Sequence, residues 1–174
     1  IDFSAKAVSA EQMVSQISDG QYPTLTTSSA MTRATNKIYA DLQTTLISKR
    51  PGVLNIENNG MITYHAEDRN WGKNGVSYTL SDIEAVSIAE KILNEQGLLP
   101  SDDYRTGVAQ IQRVKLDLTG EQKYEPDTVE YVVTFYRTYN GVDILSDQED
   151  GILVSFDAKG LTELRYLWRE IKHT

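Results

Sequence analysis

YVVTFYRTYNGVDILSD, from Tyr131 to Asp147, is the stretch that decides the fold. Apolar and aromatic residues recur at every second position, as in a strand with one buried face. Asn140-Gly141 is the strongest short hairpin signal in a sequence, and VDIL returns from it. The stretch therefore predicts a hairpin of an antiparallel sheet rather than an active-site loop. The predicted shared face comprises Val129, Tyr131, Val133, Phe135 and Tyr139.

Two further hairpins are predicted on either side of this stretch. In VLNIENNGMITYH, a three-residue loop Asn58-Asn59-Gly60 puts every apolar side chain on one face, whereas a two-residue loop would scatter them. In ILVSFDAKGLTELRYLW, we expect the three-residue loop Ala158-Lys159-Gly160, with Trp168 extending the apolar face. The predicted pairs are Leu54 with Tyr64, Ile56 with Ile62, Phe156 with Thr162, Val154 with Leu164 and Ile152 with Tyr166.

The two hairpin loops, NNG and AKG, lie one hundred residues apart, and each hairpin follows a predicted helix. We interpret this as an internal repeat of two lobes packed as one body, a helix-plus-hairpin lobe over 1–78 and a second lobe over 79–174. The alternative is that two ordinary hairpins resemble one another.

The clearest helix is predicted at 82–96. Ser81 and Glu84 form a capping box, Gly97 suits the position after the helix, and Pro100 follows. Other helices are expected near 9–20 and 30–49, the second with Leu42 and Leu46 on its apolar face. A strand is predicted in VAQIQRVKLDL, with a phase slip near Ile111 that favours a β-bulge. The apolar stripe predicted for the helix at 82–96 comprises Ile83, Val86, Ile88, Ala89, Ile92 and Leu93.

Bulk composition excludes several classes of function. The chain has 174 residues, 40% hydrophobic and 24% charged, which suits a folded domain. Its formal net charge of -8 disfavours nucleic acid as a partner. The absence of cysteine removes disulfides, thiolate catalysis and sulfur-ligated zinc. No apolar run is long enough to cross a bilayer, and the first residues lack the pattern of a signal peptide. We expect a mature domain whose membrane anchor, if it has one, lies outside this chain.

Catalytic constellations are scarce. Of the two histidines, His173 is next to the end of the chain and His65 ends a predicted strand. A pair of His65 with Glu67 or Asp68 has no supporting motif, and an exposed polar histidine is the simpler reading. No nucleophile elbow, P-loop, dinucleotide fingerprint or zinc-helix motif is present. An enzyme ranks last, and we predict no catalytic, cofactor-binding or metal-binding residues and no cofactor.

Two acidic segments and the tyrosines are weaker candidates for binding. SDQEDG groups Asp147, Glu149 and Asp150, and DRNWGKNG faintly resembles a calcium loop through Asp68, Asn70 and Asn74, but neither has EF-hand spacing. A solvated hairpin end or a guard against strand pairing is the simpler interpretation of SDQEDG. The chain has ten tyrosines. Tyrosine-rich surfaces favour protein contacts, although such residues also fill cores. Of the predicted strand tyrosines, Tyr131, Tyr136, Tyr139 and Tyr166, we expect Tyr136 to be the exposed one.

The C-terminal half resembles a known group of modules. Its order is the capped helix SDIEAVSIAEKILNEQGLLP, a long strand, then VEYVVTFYRTYNGVDIL and GILVSFDAKGLTELRYLW. The segments from Phe135 to Val142 and from Asp157 to Gly160 match the turn pattern of PepSY-like and propeptide-type modules of bacterial extracytoplasmic proteins. Within that group the chain is most similar to the YycH/YycI regulatory family. The resemblance spans Ser81 to Trp168, and the acidic SDQED departs from the propeptide pattern, which disfavours a protease-inhibiting role.

The resemblance implies a fold, a function and a location. The expected fold class is α+β, with helices packed on an antiparallel sheet in one or two PepSY-like, cystatin-like lobes. The expected function is a non-catalytic extracytoplasmic, membrane-anchored domain of a bacterial two-component system. It would bind another protein and regulate a membrane partner such as a sensor histidine kinase. The alternatives are a propeptide-like inhibitor or chaperone of a secreted peptidase, and a small-ligand-binding module. The residues that bind the partner are unknown from sequence.

Overall fold

The structure is a computed structural model that describes residues 41–57, 59–69, 75–114, 126–139, 141–143 and 151–168. All of them belong to one compact unit that spans 30–168. This unit is a seven-stranded antiparallel sheet with one described α-helix on it, which confirms the predicted α+β class. The strands are β1 (Gly52–Ile56), β2 (Ile62–Ala66), β3 (Tyr104–Arg113), β4 (Asp127–Tyr139), β5 (Val142–Asp143), β6 (Gly151–Asp157) and β7 (Gly160–Leu167).

The strand order is β1-β2-β7-β6-β4-β3, and the short β5 pairs with β4 outside this path. Both predicted lobes thus contribute a hairpin to one continuous sheet. Tyr64 of β2 lies directly opposite Leu164 of β7. The two residues are one hundred positions apart in the chain, like Gly60 and Gly160 of the two hairpin loops, and their pairing joins the first hairpin to the second edge to edge.

The first hairpin forms as predicted. Leu54 pairs with Tyr64 and Ile56 with Ile62. The three-residue loop places Gly60 at φ 87°, a backbone conformation that glycine adopts without steric cost. Burial of one apolar face and a glycine-containing turn agree here, and together they set the register.

The second hairpin confirms two predicted pairs and corrects its tip. Val154 pairs with Leu164 and Ile152 with Tyr166. Phe156, however, pairs with Leu161 rather than Thr162, and the Asp157–Gly160 pair leaves a two-residue loop. The register shifts between Ser155 and Phe156, which makes Thr162 the extra residue of a β-bulge in β7. The three-residue loop predicted from the sequence instead placed the extra residue at Gly160. This arrangement turns Leu161 into the core and Thr162 toward the opposite face, where its hydroxyl has a buried partner.

Strand β4 carries the remaining predicted features. The Tyr139–Val142 pair leaves two residues for the turn, which confirms the Asn-Gly hairpin, and Gly141 has φ 77°. The predicted phase slip is also confirmed, because the β3–β4 register shifts between Ile111 and Gln112. The extra residue in that bulge is Val129, which is buried.

Helix α1 (Asp82–Glu95) packs against β3, β4 and β6. The capping box is confirmed: the Ser81 side chain accepts from the Glu84 N–H, and the Glu84 carboxylate accepts from the Ser81 N–H. The centre of the buried stripe lies at Ala85, Ala89 and Leu93. The small alanine side chains let the helix approach the sheet closely.

The predicted place of Ile83 in this stripe is wrong, since its side chain is 83% exposed. Ile83 stands about 200° around the helix from Ala85, outside the buried stripe and on the flank of the helix that borders β3. Ala85, which the predicted stripe omits, and Ala89, which it includes, thus set the rotation of the helix.

The core lies between α1 and the sheet. A π-helical turn, Gln43–Ile47, contacts β1, and Leu46 of this turn and Leu42 just before it lie in the core, as predicted. The predicted helix near 9–20 and the part of the second helix before 41 lie outside the described residues. The fully buried large side chains are Tyr64, Tyr131, Phe135, Phe156, Leu42, Leu93, Ile152, Leu164, Val133 and Val154.

Candidate functional site

Strand β3 forms one edge of the sheet, and among the described strands it pairs only with β4. It is ten residues long, and its segment TGVAQIQ, Thr106 to Gln112, has no charge and no proline. Edge strands are commonly protected from pairing by charges, prolines or short length. Thr106 to Gln112 lacks all three protections, so it is suited to pairing with another strand.

The hydrogen-bond phase of β3 shows which backbone groups face outward. The Thr138 N–H donates to the Asp103 carbonyl at 3.0 Å, so these two residues are a hydrogen-bonded pair of the ladder. Such pairs alternate along an antiparallel ladder. The N–H and C=O groups of Thr106, Val108 and Gln110 therefore point away from β4, at every second residue.

The side chains of these three residues lie on the face of the sheet that carries α1. Thr106 is opposite Phe135 and Val108 is opposite Val133, both core residues. Between this part of β3 and α1 runs a groove of about 380 Å³. The groove is lined by Asp82, Ile83, Val86, Ser87, Glu90, Thr106 and Val108.

The groove has an apolar floor and an acidic rim. Two of its lining residues, Asp82 and Glu90, are carboxylates, and none is basic. The Tyr104 hydroxyl donates to Glu90 Oε1 at 2.8 Å and so holds that carboxylate beside β3. Burial, and then this hydrogen bond, raise the pKa of Tyr104 to about 12. The site therefore offers apolar contact together with negative charge.

Ile83, Ser87 and Glu90 follow one another at helical spacing and share the face of α1 that borders the groove. An isoleucine this exposed, beside a strand edge that none of the other described strands occupies, provides apolar surface for contact. The sequence pattern did not predict this role. The uncharged segment TGVAQIQ is visible in the sequence, but it indicates a pairing site only because the strand order places β3 at the edge of the sheet.

His65 lies on the other side of the sheet from α1, next to a cluster of buried charges. Its Nδ1 is 3.9 Å from Glu163 Oε1, and its side chain is half exposed. Arg69 contacts Glu163 and bonds Glu130 Oε1 at 2.9 Å. The Thr162 hydroxyl donates to the same Glu130 oxygen at 2.6 Å. Although two carboxylates gather here, the guanidinium of Arg69 binds both of them, which is the arrangement of a structural ion network.

The carboxylate near His65 is Glu163, and not Glu67 or Asp68, for which the sequence has no supporting motif. Asp68 bonds Arg50 at 2.7 Å and Lys159 at 3.1 Å, and these two cations, Arg50 first, lower the pKa of Asp68. Within the described part of the chain, no three acidic or histidine side chains are grouped as a metal site. The other residues of the two acidic segments, Asn70, Asn74, Asp147, Glu149 and Asp150, lie outside the described residues.

The tyrosines divide between core and surface. Tyr131 is fully buried, whereas Tyr136 is 39% exposed, which confirms the predicted exposure. The Arg105 guanidinium lies 4.0 Å from the centre of the Tyr136 ring and forms an ion pair with Asp143. Tyr166 is partly buried against the core. The Tyr139 side chain and His173 lie outside the described part.

No protein-family model, curated protein or solved structure matches this chain. Among the described residues, no helix has the length and hydrophobicity that a membrane span requires.

Proposed function

We propose that this chain is a non-catalytic, extracytoplasmic protein-binding domain that regulates a membrane partner such as a sensor histidine kinase. The observation that carries the proposal is the uncharged edge of β3 beside an apolar groove with the exposed Ile83 at its border. Exposed apolar surface with a polar rim is typical of protein-interaction sites.

The resemblance of Ser81 to Trp168 to PepSY-like modules of the YycH/YycI kind supports the same class of function and supplies the class of partner. A capped helix on an antiparallel sheet is compatible with that architecture. The acidic rim of the groove adds a preference for a partner segment that carries positive charge.

A pull-down from the membrane fraction of the source organism, read by mass spectrometry, tests this proposal. We expect the domain to capture a sensor kinase or another membrane protein. Capture of a secreted peptidase would move the function to the propeptide-like alternative. If nothing is enriched over a control bait at low and at moderate salt, the proposed function is wrong.

A small-ligand module is the second candidate, because the groove volume of about 380 Å³ lies within the size range of ligand sites. Its acidic lining would select a cationic, partly apolar molecule. Thermal-shift screening against alkylamines and alkylguanidines separates this candidate from protein binding. A saturable shift that Glu90→Gln abolishes would support it, and the absence of any shift would exclude that ligand class.

A further inference from the structure

We propose that the β3 edge and helix α1 together form a strand-addition site. The site would take an extended segment of the partner, apolar at alternate positions and basic where it passes Asp82 and Glu90. This inference rests on the proposed function and specifies how the partner is bound.

The backbone supplies the first half of the site. Outward-facing N–H and C=O groups recur at Thr106, Val108 and Gln110, at the two-residue spacing that an added strand requires. An added strand of about five to seven residues would pair with them through main-chain hydrogen bonds. The bulge between Ile111 and Gln112 interrupts the regular ladder beyond this point.

The side chains supply the second half. In an added strand, every second side chain would point to the same face as Thr106 and Val108 and would enter the groove. There it would meet Ile83, Val86 and Val108, which are apolar. Valine, isoleucine or leucine at alternate positions of the partner fits this surface.

The charge of the groove further restricts which segments the site can bind. Asp82 and Glu90 line the groove, and none of its lining residues is basic. The whole chain carries a formal net charge of -8. A lysine or arginine on the added segment would lie near these carboxylates, and a glutamate would be repelled. Binding is therefore expected to weaken as the salt concentration rises.

The opposite edge of the sheet is a poorer candidate. Strand β1 has five residues, and the π-helical turn Gln43–Ile47 contacts it. Its outward-facing backbone belongs to Gly52, Leu54 and Ile56, because the Glu57 N–H donates to the Met61 carbonyl and sets the phase of that ladder. Leu54 is buried, so this edge offers a less accessible row of backbone groups.

The test is selection from a displayed library of random twelve-residue peptides on the intact chain, followed by measured affinities of the selected peptides. We expect enrichment of alternating aliphatic residues with lysine or arginine. Addition of such a peptide should shift the NMR amide signals of Thr106, Val108 and Gln110.

Two matched pairs of variants locate the site. Thr106→Pro removes an outward N–H and no ladder bond, so it should weaken peptide binding roughly tenfold relative to Thr106→Ala, which keeps that N–H. Ile83→Asp alters an exposed side chain and should weaken binding at least as much. Val53→Asp makes the same change at the opposite edge, where Val53 is 53% exposed, and should leave binding unchanged.

The outcomes separate this inference from the proposed function. If no peptide is enriched, or if the selected peptides bind Thr106→Pro and Ile83→Asp as tightly as the unmodified chain, strand addition at β3 is wrong. If Thr106→Pro and Ile83→Asp both still capture the membrane partner, the proposed function is supported and strand addition at β3 is wrong. If the chain binds the peptides at β3 but captures no protein, the binding mode stands and the proposed function falls.

Discussion

Arg50 and Asp157, which are 107 residues apart in the chain, are joined by two parallel hydrogen bonds of 2.8 and 2.9 Å. Arg50 is only 8% exposed. It also binds Asp68 and donates to the carbonyls of Gly160 and Leu161. The start of β1 is thereby tied to the β6–β7 hairpin.

Substitution of Arg50 should reveal how much these hydrogen bonds contribute to the free energy of unfolding. Arg50→Lys keeps the charge but cannot form the two parallel bonds or reach all four partners, so we expect the free energy of unfolding in urea to fall by about 2 kcal/mol. The control is Arg105→Lys, which breaks a similar two-bond pair with Asp143 at an exposed site and should lower the free energy of unfolding by much less, because water screens that pair. Equal losses for the two variants would contradict this account.

Gly52 is required for a close approach between neighbouring strands. A Cβ atom there would lie 2.5 Å from the His65 carbonyl oxygen and 2.5 Å from the Tyr64 ring. Because Tyr64 is buried and its hydroxyl donates to the Arg50 carbonyl, the ring cannot move away freely. Gly52→Ala should therefore lower the free energy of unfolding by roughly 1–3 kcal/mol.

Gly107→Ala is the matched control for this substitution. Its Cβ would lie 3.3 Å from the ring of the exposed Tyr136, which has room to adjust. We expect a change within about 0.5 kcal/mol, because most surface substitutions have effects of that size. Urea denaturation of both variants is the measurement, and an effect of Gly107→Ala as large as that of Gly52→Ala would be evidence against the packing argument.

At the β-bulge, the buried hydroxyl of Thr162 donates a hydrogen bond to the carboxylate of Glu130. Thr162 and Glu130 are 1% and 3% exposed. Thr162→Val keeps the shape but removes the donor, so the unfolding free energy should fall by roughly 1–3 kcal/mol. Thr162→Ser keeps the donor and should lose less than half as much. If valine is tolerated as well as serine, the bond to Glu130 does not stabilise the bulge.

Stability should decline under alkaline conditions. The pKa of Tyr104 is raised to about 12 in the folded chain, and burial also raises the pKa values of Tyr64, Tyr78 and Tyr166. The unfolded chain loses these protons near the ordinary tyrosine pKa of about 10, whereas the folded chain keeps them. These tyrosines therefore contribute fully to the free energy of unfolding below pH 10, and their contribution is lost as the pH rises from 10 toward 12.

Urea unfolding at pH 9 and pH 11.5 measures this loss. Tyr104→Phe has no phenol to ionise, so its stability should fall less steeply over this range than that of the unmodified chain. Glu90→Gln keeps Tyr104 buried and should reduce the slope by a smaller amount, since burial is the larger cause of the raised pKa. Identical slopes for all three chains would contradict the assignment to Tyr104.

Local features of the fold followed from the sequence. The capping box at Ser81 and the glycine turn at Gly60 depend on residues within a few positions of one another, and both form as predicted. The phase slip near Ile111 also appeared in the sequence as a break in alternation, and it is a β-bulge. Nearest-neighbour geometry determines such features.

The prediction failed where the deciding partner is remote in sequence. Thr162 takes the bulge position, where its hydroxyl donates a hydrogen bond to Glu130 of β4, and Leu161 gains a place in the core. Ile83 is exposed because Ala85 and Ala89 fit more closely against the sheet. In both cases packing between elements outweighs the pattern within one element.

The sequence by itself determined the hairpins, the capped helix and the α+β class, because alternation, capping and turn chemistry act over short distances along the chain. Only the tertiary structure decided that Tyr64 of the first hairpin pairs with Leu164 of the second within one sheet, and that β3 lies at the edge of that sheet. Strand order depends on which apolar faces bury one another across the whole domain. The candidate site depends on that order, since TGVAQIQ offers its backbone to a partner only where β4 alone pairs with it among the described strands.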